Sequence, residues 1–547
     1  MEVSTKSLDH LGIISGVCRE IGLVELIDSL VKSDPQRSIS VGEGIYALML
    51  NCLGFVNSTL YLSPAYFRDK PLGVLFRRAV QAEDFNSHSL SSSLDAVYEY
   101  GIDKLFFNIS LQSIKRYGIE LTSRHLDGTT LSVHGDGYGH SDVGTIALKR
   151  GHNKQGQHDL RQFILELICG NKEGIPLYMH TADGNETDKV QFPKVLEAYQ
   201  KEMALAGEWS KNGHYVADSA LYVAQTLQKI SNILWISRVP ETINRARHQI
   251  EASESRQWQL LTEHSGYKYQ EVKNDYGGIA QRWLILHSDN SYKSSQKSIE
   301  RKVEKQLAQL TKSLKKEQST EYSSDLLAQQ GLHDWFGSLK DTEKAYFKVG
   351  QMSVRQVEHY AKGRRKQDAV PLKVAFFINT VRFERQEILI EKAKQRGAKF
   401  ILATNDLDSK ELTPNKWLHT YKNEQQNTER GFKFIKDPVF MLDKIFLKLP
   451  RRIMALTMVI VLCLLVYTLA QYKLRKNLVD KKLSIANQLN KQIQNPTMKW
   501  VFTVMRGIQV ATIEIDGKIH RSIINMTEQQ RIILNAFGDN INVFYTL

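Results

Sequence analysis

The sequence predicts a mixed α/β protein with a helical N-terminal domain, a mixed-sheet core and a β-rich insertion domain. Three observations carry this. Residues 1 to about 112 place apolar residues at three- and four-residue spacing, as in "LGIISGVCREIGLVELIDSLV". From about 120 to 240, short apolar runs and helical patterns follow in the order β-β-β-α-β-α-β. From 241 to about 400 the alternation gives way to paired extended segments.

Composition bounds the rest. The 547 residues are 42% hydrophobic and 24% charged, as in a folded globular chain. Lys and Arg number 73 against 59 Asp and Glu, a net charge of +14 that favours a polyanionic partner, nucleic acid before an anionic membrane surface. Cys18, Cys52, Cys169 and Cys463 are far apart and form no CxxC. That excludes a disulfide framework or a zinc-finger pattern and points to a reducing compartment. The opening "MEVSTKSLDH" lacks the basic-then-apolar pattern of a signal peptide, so a cytoplasmic location is expected.

Taken in chain order, Ser40 is the expected N-cap of the helix in "SVGEGIYALMLNCLGFV", with Glu43 completing a capping box. "RHLDGTTLSVHG" reads as strand, Asp, strand, and "QFILELICG" and "IPLYMHTADGN" as strands around "NKEG". "DKVQFPKVLEAYQKEMALAG" is helical, "HYVAD" a strand, "SALYVAQTLQKI" a helix and "NILWISRV" a strand. In the insertion, "YQEVKNDYGGIAQRWLILHS" reads as a hairpin. "SIERKVEKQLAQLTKSLKKEQ" is a helix with one apolar stripe, Ile299, Val303, Leu307, Leu310 and Leu314, and a basic face read as solvated. "AYFKVGQMSV", "LKVAFFINTV" and "AKFILATN" are strands. "NTERGFKFIK" opens a helix limited by Pro438. Ile453–Ala470 has no charge in 18 residues and fits either a membrane span or a helix buried on all sides. The tail from 477 suggests no role.

Three carboxylates stand where chemistry is possible. Asp127, in "HLDGTT", and Asp218, in "VADSA", lie at strand ends, and Glu429 opens a helix. If the first core strand lies beside the fourth, Asp127 and Asp218 face one another, and a helix packed on that edge adds Glu429. Three converging carboxylates repel unless a cation neutralises them, and hard oxygen donors select Mg²⁺ or Mn²⁺. Two such ions about 4 Å apart serve phosphodiester chemistry. The ordinary alternatives are a helix cap or turn for each Asp and a first-turn acid favoured by the helix dipole for Glu429.

These stretches also resemble bacterial insertion-sequence transposases of the DDE class, which have an RNase H-like core. "HLDGTTLSVHG" resembles the first-Asp motif and "YVADSALY" the second. "GHNKQGQHDLRQ" resembles the loop and strand written G-x-S-K-x-x-R-P-D-L-x-Q in that family. "ADGNETD" is similar to the turn before the first core helix, and "YKNEQQNTERGFKFIKDPVF" to the segment bearing the catalytic Glu. The resemblance runs from about 120 to 475, with a similar helical domain before it. It implies Asp127, Asp218 and Glu429 as catalytic metal ligands, with two Mg²⁺ or Mn²⁺ ions. It also implies Tyr421, Lys436, Lys154, Arg161 and Arg430 as DNA contacts. A family signature runs Tyr, two residues, Arg, three residues, Glu, six residues, Lys. Here Glu429 and Lys436 keep the last interval, Tyr421 stands one position early, and Gln425 occupies the Arg place. In the loop Gln157 and His158 replace Arg-Pro.

The implied organisation is a helical domain over 1–115 that binds DNA ends, a core over 120–240, an insertion over 241–400, a second core segment over 401–476 and a tail over 477–547. The implied partners are the element's terminal repeats and target DNA, joined in a homodimer or higher synaptic complex. The family's hydrophobic helix after the catalytic Glu is a core helix, so the apolar segment is expected to be buried, with no membrane. The runner-up readings are an RNase H-like nuclease without strand transfer and a membrane-anchored DNA-binding protein. Weaker motifs are "GDGYGH", with no helix after it, and His134, His140, His152 and His158 near Asp136 and Asp142, whose spacing matches no zinc site. Trp258, Trp283 and Trp335 suit base stacking or core packing.

Overall fold

The computed structural model describes residues 2–54, 62–133, 143–151, 159–170, 173–208, 213–364, 369–437, 447–515 and 518–546, without the side chains of 2, 423–427 and 515. Lys154, "GDGYGH", the four clustered histidines and Pro438 lie outside the described residues. The chain divides into two compact units.

The first unit comprises Met1–Ser237, Asp275–Gln281 and Thr404–Leu547. It opens on a strand, β1 (Glu2–Ser7), where the sequence pattern suggested only helix. Helices Leu11–Ile21, Val41–Leu53, Ser87–Tyr100 and Ile102–Tyr117 follow. The capping box forms as expected: Ser40 Oγ accepts the Glu43 N–H at 3.1 Å, and Glu43 Oε2 accepts the Ser40 N–H at 2.9 Å. These bonds occupy orphan donors at the start of a helix that is buried on nearly every side.

The core strands are β2 (Ser123–Val133), β3 (Arg161–Gly170), β4 (Ile175–Asp183), β5 (His214–Ala217) and β6 (Trp235–Arg238). They lie in the order β4-β3-β2-β5-β6. β2 pairs antiparallel with β3 and β3 with β4, while β5 is parallel to both β2 and β6. The first core strand therefore neighbours the fourth. β2 runs unbroken through Asp127 instead of splitting there. Gly128 permits this packing, because a Cβ at that position would sit 2.5 Å from Glu166 Oε2 on the paired strand. Helix Asp188–Leu205 carries the chain from β4 to β5, and Arg124 stacks over Tyr215, 5.3 Å from its ring centroid.

The second unit, Arg238–Asn274 and Arg282–Ala403, is interpolated between β6 and the helix bearing Glu429. Within the first unit the segments that flank the second unit in sequence are joined, where Thr404 Oγ1 donates to the Trp235 carbonyl at 2.6 Å. Its strands are β7 (Gln259–Leu260), β8 (Tyr267–Tyr276), β9 (Ile279–Ser288), β10 (Phe347–His359), β11 (Lys373–Arg385) and β12 (Lys399–Thr404). They form a run β12-β9-β8-β7 and a separate antiparallel pair β10-β11. Helices Asp289–Glu317, Asp325–Ser338 and Glu387–Gly397 pack within the insertion, the first of them where the sequence pattern placed a helix. On the first of these Ile299, Val303, Leu310 and Leu314 are buried as expected, but Leu307 is 40% exposed. Gln306 is buried instead and donates to the Thr342 carbonyl at 2.7 Å. Trp283 is fully buried, Trp335 packs against the cluster around Val303, and Trp258 is half-buried in the wall of a cavity of about 680 Å³.

The apolar segment forms one helix, Pro450–Asp480, with a mean hydropathy of 2.7 over its apolar window, and 89% of that window is buried in the protein. Its first turn is tied down by Asp95, which accepts from Arg452 at 2.7 Å and from Arg451 at 3.1 Å. Partial burial works to raise the Asp95 carboxyl, but the two guanidiniums outweigh it and hold the group below the usual carboxylate range. The tail supplies β13 (Ile485–Ala486), β14 (Gln492–Ile493), β15 (Gln509–Ile515) and β16 (Lys518–Ile524). β1 joins β15 and β16 in a three-stranded sheet. Near the other end of the tail, the Tyr545 hydroxyl donates to the Asp9 carbonyl at 2.7 Å. The tail thus completes the N-terminal region, a role its own pattern did not disclose.

Candidate active site

Asp127 lies within β2, and Asp218 is the residue after β5. Leu126 pairs with Ala217 in parallel register, so the two aspartates come next, side by side, on strands about 4.8 Å apart. Both are half-buried.

Alternation decides which way they face. Successive strand residues point to opposite faces, and in-register neighbours share one. Asp127 therefore shares a face with His125, and through the pairs His125–Cys169 and His125–Val216 that face includes Cys169 and Val216, with Asp218 directly after the last paired residue, Ala217. Burial pushes the Cys169 thiol up to about 12; the Thr428 hydroxyl beside it opposes that shift and the Asp127 charge adds to it. Thr428 is buried in helix Gln425–Ile435, so this helix covers the same face. Glu429 is its next residue and is exposed.

The ordinary readings of these acids hold only in part: Asp218 is a turn residue and not a helix cap. The next helix is Ala224–Lys229, with Val223 at its N-cap. Instead Asp218 Oδ1 accepts the Ala220 N–H at 2.8 Å, a side-chain turn that bends the chain away from the strand. The Asp218 carbonyl accepts the Ser237 hydroxyl at 2.8 Å, which anchors that bend to β6. Glu429 is not a first-turn acid either. Helix Pro414–His419, a π turn Thr420–Glu424 and helix Gln425–Ile435 run on without a break, so no free helix start lies beside it. Asp127 Oδ1 accepts the Gly128 N–H at 2.8 Å.

The π turn bears on Tyr421, which it contains. A π turn holds one residue more than an α turn, so it offsets the single-residue displacement of Tyr421 from the family spacing. Lys436 follows Glu429 by two helical turns and shares its face. Arg430 lines a cavity of about 1100 Å³ against helix Pro450–Asp480. Arg161 is exposed, and its guanidinium donates to the Leu148 carbonyl at 3.3 Å, a bond internal to the fold.

Sequence reasoning missed the residues that hold the site. Tyr222, four residues after Asp218, stacks on Tyr276 with centroids 5.0 Å apart and donates to Gln281 Oε1 at 2.6 Å. The tip of the β8–β9 hairpin thereby fixes the loop after Asp218. Gly431 brings its helix onto Leu464, 3.1 Å from where a Cβ would stand. The "ERGF" spacing hinted at Gly431; nothing local pointed to Gln281.

Among the described residues no three of His, Cys, Asp and Glu stand close enough together to hold a metal ion. The assembled part is the Asp127–Asp218 pair, with Glu429 carried on the helix over their face. Asp127, Asp218 and Glu429 offer only carboxylate oxygens, a chemistry that fits a hard divalent cation.

A family model described as "Transposase DDE domain" matches residues 123–466, and enzymes of this family generally use divalent metal ions. A model described as "Domain of unknown function (DUF4277)" matches residues 3–111. No curated protein matches the chain. Among solved structures, the piggyBac transposase in a synaptic complex with hairpin DNA is 8% identical, with 90% of this chain and 77% of that chain covered and a TM-score of 0.34. The Mos1 transposase in a paired-end complex with the left transposon end is 11% identical, with 37% of this chain and 59% of that chain covered and a TM-score of 0.15. The family model spans more than half of the 547 residues, and the chain belongs to the DDE transposase family.

Proposed function

We propose that this transposase cuts DNA at the ends of a bacterial insertion sequence and joins the freed 3′ ends to target DNA. The observation that carries the reading is the placement of Asp127 beside Asp218 on the face covered by the Glu429 helix. Asp127, Asp218 and Glu429 would hold two Mg²⁺ or Mn²⁺ ions, which supply activation of the attacking oxygen and stabilisation of the leaving one. The chain's own contribution is positional. The register of β2 and β5 sets the spacing of the two aspartates, and Ser237 and the Tyr222–Gln281 contact fix the bend at Asp218.

Tyr421, Arg430 and Lys436, on the same helical run as Glu429, would contact DNA, as would Lys154 and Arg161, the first residue of β3. Phosphate contacts of this kind supply affinity through counterion release. Residues 1–115 would bind the element ends, and two chains or more would bring a pair of ends together. The 120–240, 241–400, 401–476 and 477–547 segments would serve as core, insertion, second core segment and tail. The protein would act in the cytoplasm, at the nucleoid, and burial of the Pro450–Asp480 helix supports its reading as a core helix without a membrane.

The test is cleavage of DNA carrying the element's own ends, with Mg²⁺ and with a chelator, followed by strand transfer from pre-cut ends. Metal-dependent cutting and a joined product are expected. Cutting without joining would mark a nuclease, and neither would refute the proposal.

A further inference from the structure

The C-terminal third of helix Pro450–Asp480 leaves the apolar core and turns basic. Two cavities open on it. One, of about 1100 Å³, is walled by Arg430 from the Glu429 helix together with Arg475 and Lys476. The other, of about 610 Å³, collects Arg19, Arg116, Lys473 and Lys476 around a single acid, Glu20. Lys476 lines both, so the cavities adjoin along one helix.

Some of this charge is accounted for within the fold. Lys473 is paired with Glu20, whose carboxylate also accepts the Tyr117 hydroxyl at 2.7 Å. Arg116 donates to the Glu20 carbonyl at 2.8 Å, closing the end of helix Leu11–Ile21. Arg475 donates to the Pro496 carbonyl at 2.9 Å. None of these bonds removes the imbalance. Six cations face the two cavities against Glu20, Glu173 and Asp480. Burial lowers the Arg475 guanidinium from its usual range, and the nearby Arg430 charge lowers it further. Like charges held together in a partly enclosed space lower their energy by taking in an anion.

We propose that Arg430, Arg475, Lys476, Lys473, Arg116 and Arg19 form a continuous track that binds the phosphodiester backbone of DNA, leading from the Glu429 helix to the N-terminal helices. The assignment rests on DNA being the substrate, as proposed above. It adds a route by which the N-terminal region and the carboxylate site grip one DNA molecule. The track reads backbone charge, not bases, so it strengthens binding to any sequence.

The test is equilibrium binding of the full chain to a duplex carrying the element's end, and to an unrelated duplex, across a range of salt. Lys476 is exposed, with its ammonium 5.9 Å from the centroid of the Tyr472 ring, so Lys476→Gln and Lys476→Glu leave the fold intact. Removing one neutralised phosphate should lower the salt slope by about 0.9. Lys476→Gln should therefore flatten the slope by about that amount on both duplexes, and Lys476→Glu should weaken binding by roughly tenfold or more. Arg475→Gln should flatten the slope likewise and also lower the melting temperature in the absence of DNA, because it loses the bond to the Pro496 carbonyl, whereas Arg475→Lys should keep most of the slope. Wild-type slopes and affinities in the Lys476 variants would overturn the track. If the wild-type chain still cuts element ends, the proposed function stands without it. If the wild-type chain binds and cuts no duplex, both fall.

Discussion

Asp127 and Asp218 follow a directly paired couple, Leu126 and Ala217, on adjacent parallel strands, and Asp127 acts on Cys169 at the face where Thr428 meets it. Two acids separated by most of the core's sequence thus become neighbours through strand register alone. The arrangement places like charges together, which a fold tolerates where a cation is to be held.

If these carboxylates are metal ligands, removing one removes the chemistry and leaves the fold. Asp127→Asn, Asp218→Asn and Glu429→Gln should each lower Mg²⁺-dependent cleavage by at least about a hundredfold, since even outer-shell partners of metal ligands cost 10–100-fold. Circular dichroism and DNA-end binding should stay close to wild type. Activity retained in all three would reject the triad.

Gly128 is fixed by its neighbour across the sheet. In Gly128→Ala the new Cβ would stand 2.5 Å from the buried Glu166 carboxylate. Overpacking of this kind costs about 1–3 kcal/mol, so a lowered denaturation midpoint is expected, with cleavage reduced because the strand next to Asp127 must shift. A midpoint equal to wild type would show that β2 and β3 are not packed as described.

Asp95 clamps the start of the long apolar helix through Arg451 and Arg452. Its carboxyl is held below the ordinary range, so its contribution is fully present at neutral pH and is lost as pH falls through the depressed value, below about pH 4. Asp95→Asn should destabilise the protein by about 2 kcal/mol at pH 7, and the gap should close on acidification below that point. Urea midpoints of both proteins across pH check this; a gap independent of pH would contradict it.

The Pro450–Asp480 helix satisfies the length and hydropathy of a membrane span, yet its apolar window is 89% buried. The protein should therefore partition into the aqueous fraction without detergent. Leu465 is fully buried, and Leu465→Ala should cost about 2–5 kcal/mol, as expected of a packed core position and not of a lipid-facing one. Detergent-dependent extraction would contradict the burial reading.

Much of this architecture was legible because it is local. Periodicity located the core strands and helices, and Ser40 with Glu43 announced their capping box. The site was legible only in outline. Strand order let Asp127 and Asp218 be imagined as neighbours, but the chain near Asp218 left cap and turn both open, and the structure has the turn toward Ala220. β1 was missed because its partner, β15, lies roughly five hundred residues away, and a six-residue edge strand has no pattern of its own. Leu307 was assigned to the buried stripe by spacing, but the neighbouring Gln306 found a backbone partner and took the inward position. The role of Gln281 required knowing where a distant hairpin tip would land.

The central claim is that Asp127, Asp218 and Glu429 grip divalent ions. Anomalous scattering from Mn²⁺ in a crystal of the protein bound to an element end measures this directly. The account predicts metal peaks within roughly 2.0–2.3 Å of oxygens from all three residues. Mn²⁺ bound elsewhere, with the three carboxylates spread too widely to share a pair of ions about 4 Å apart, would contradict it.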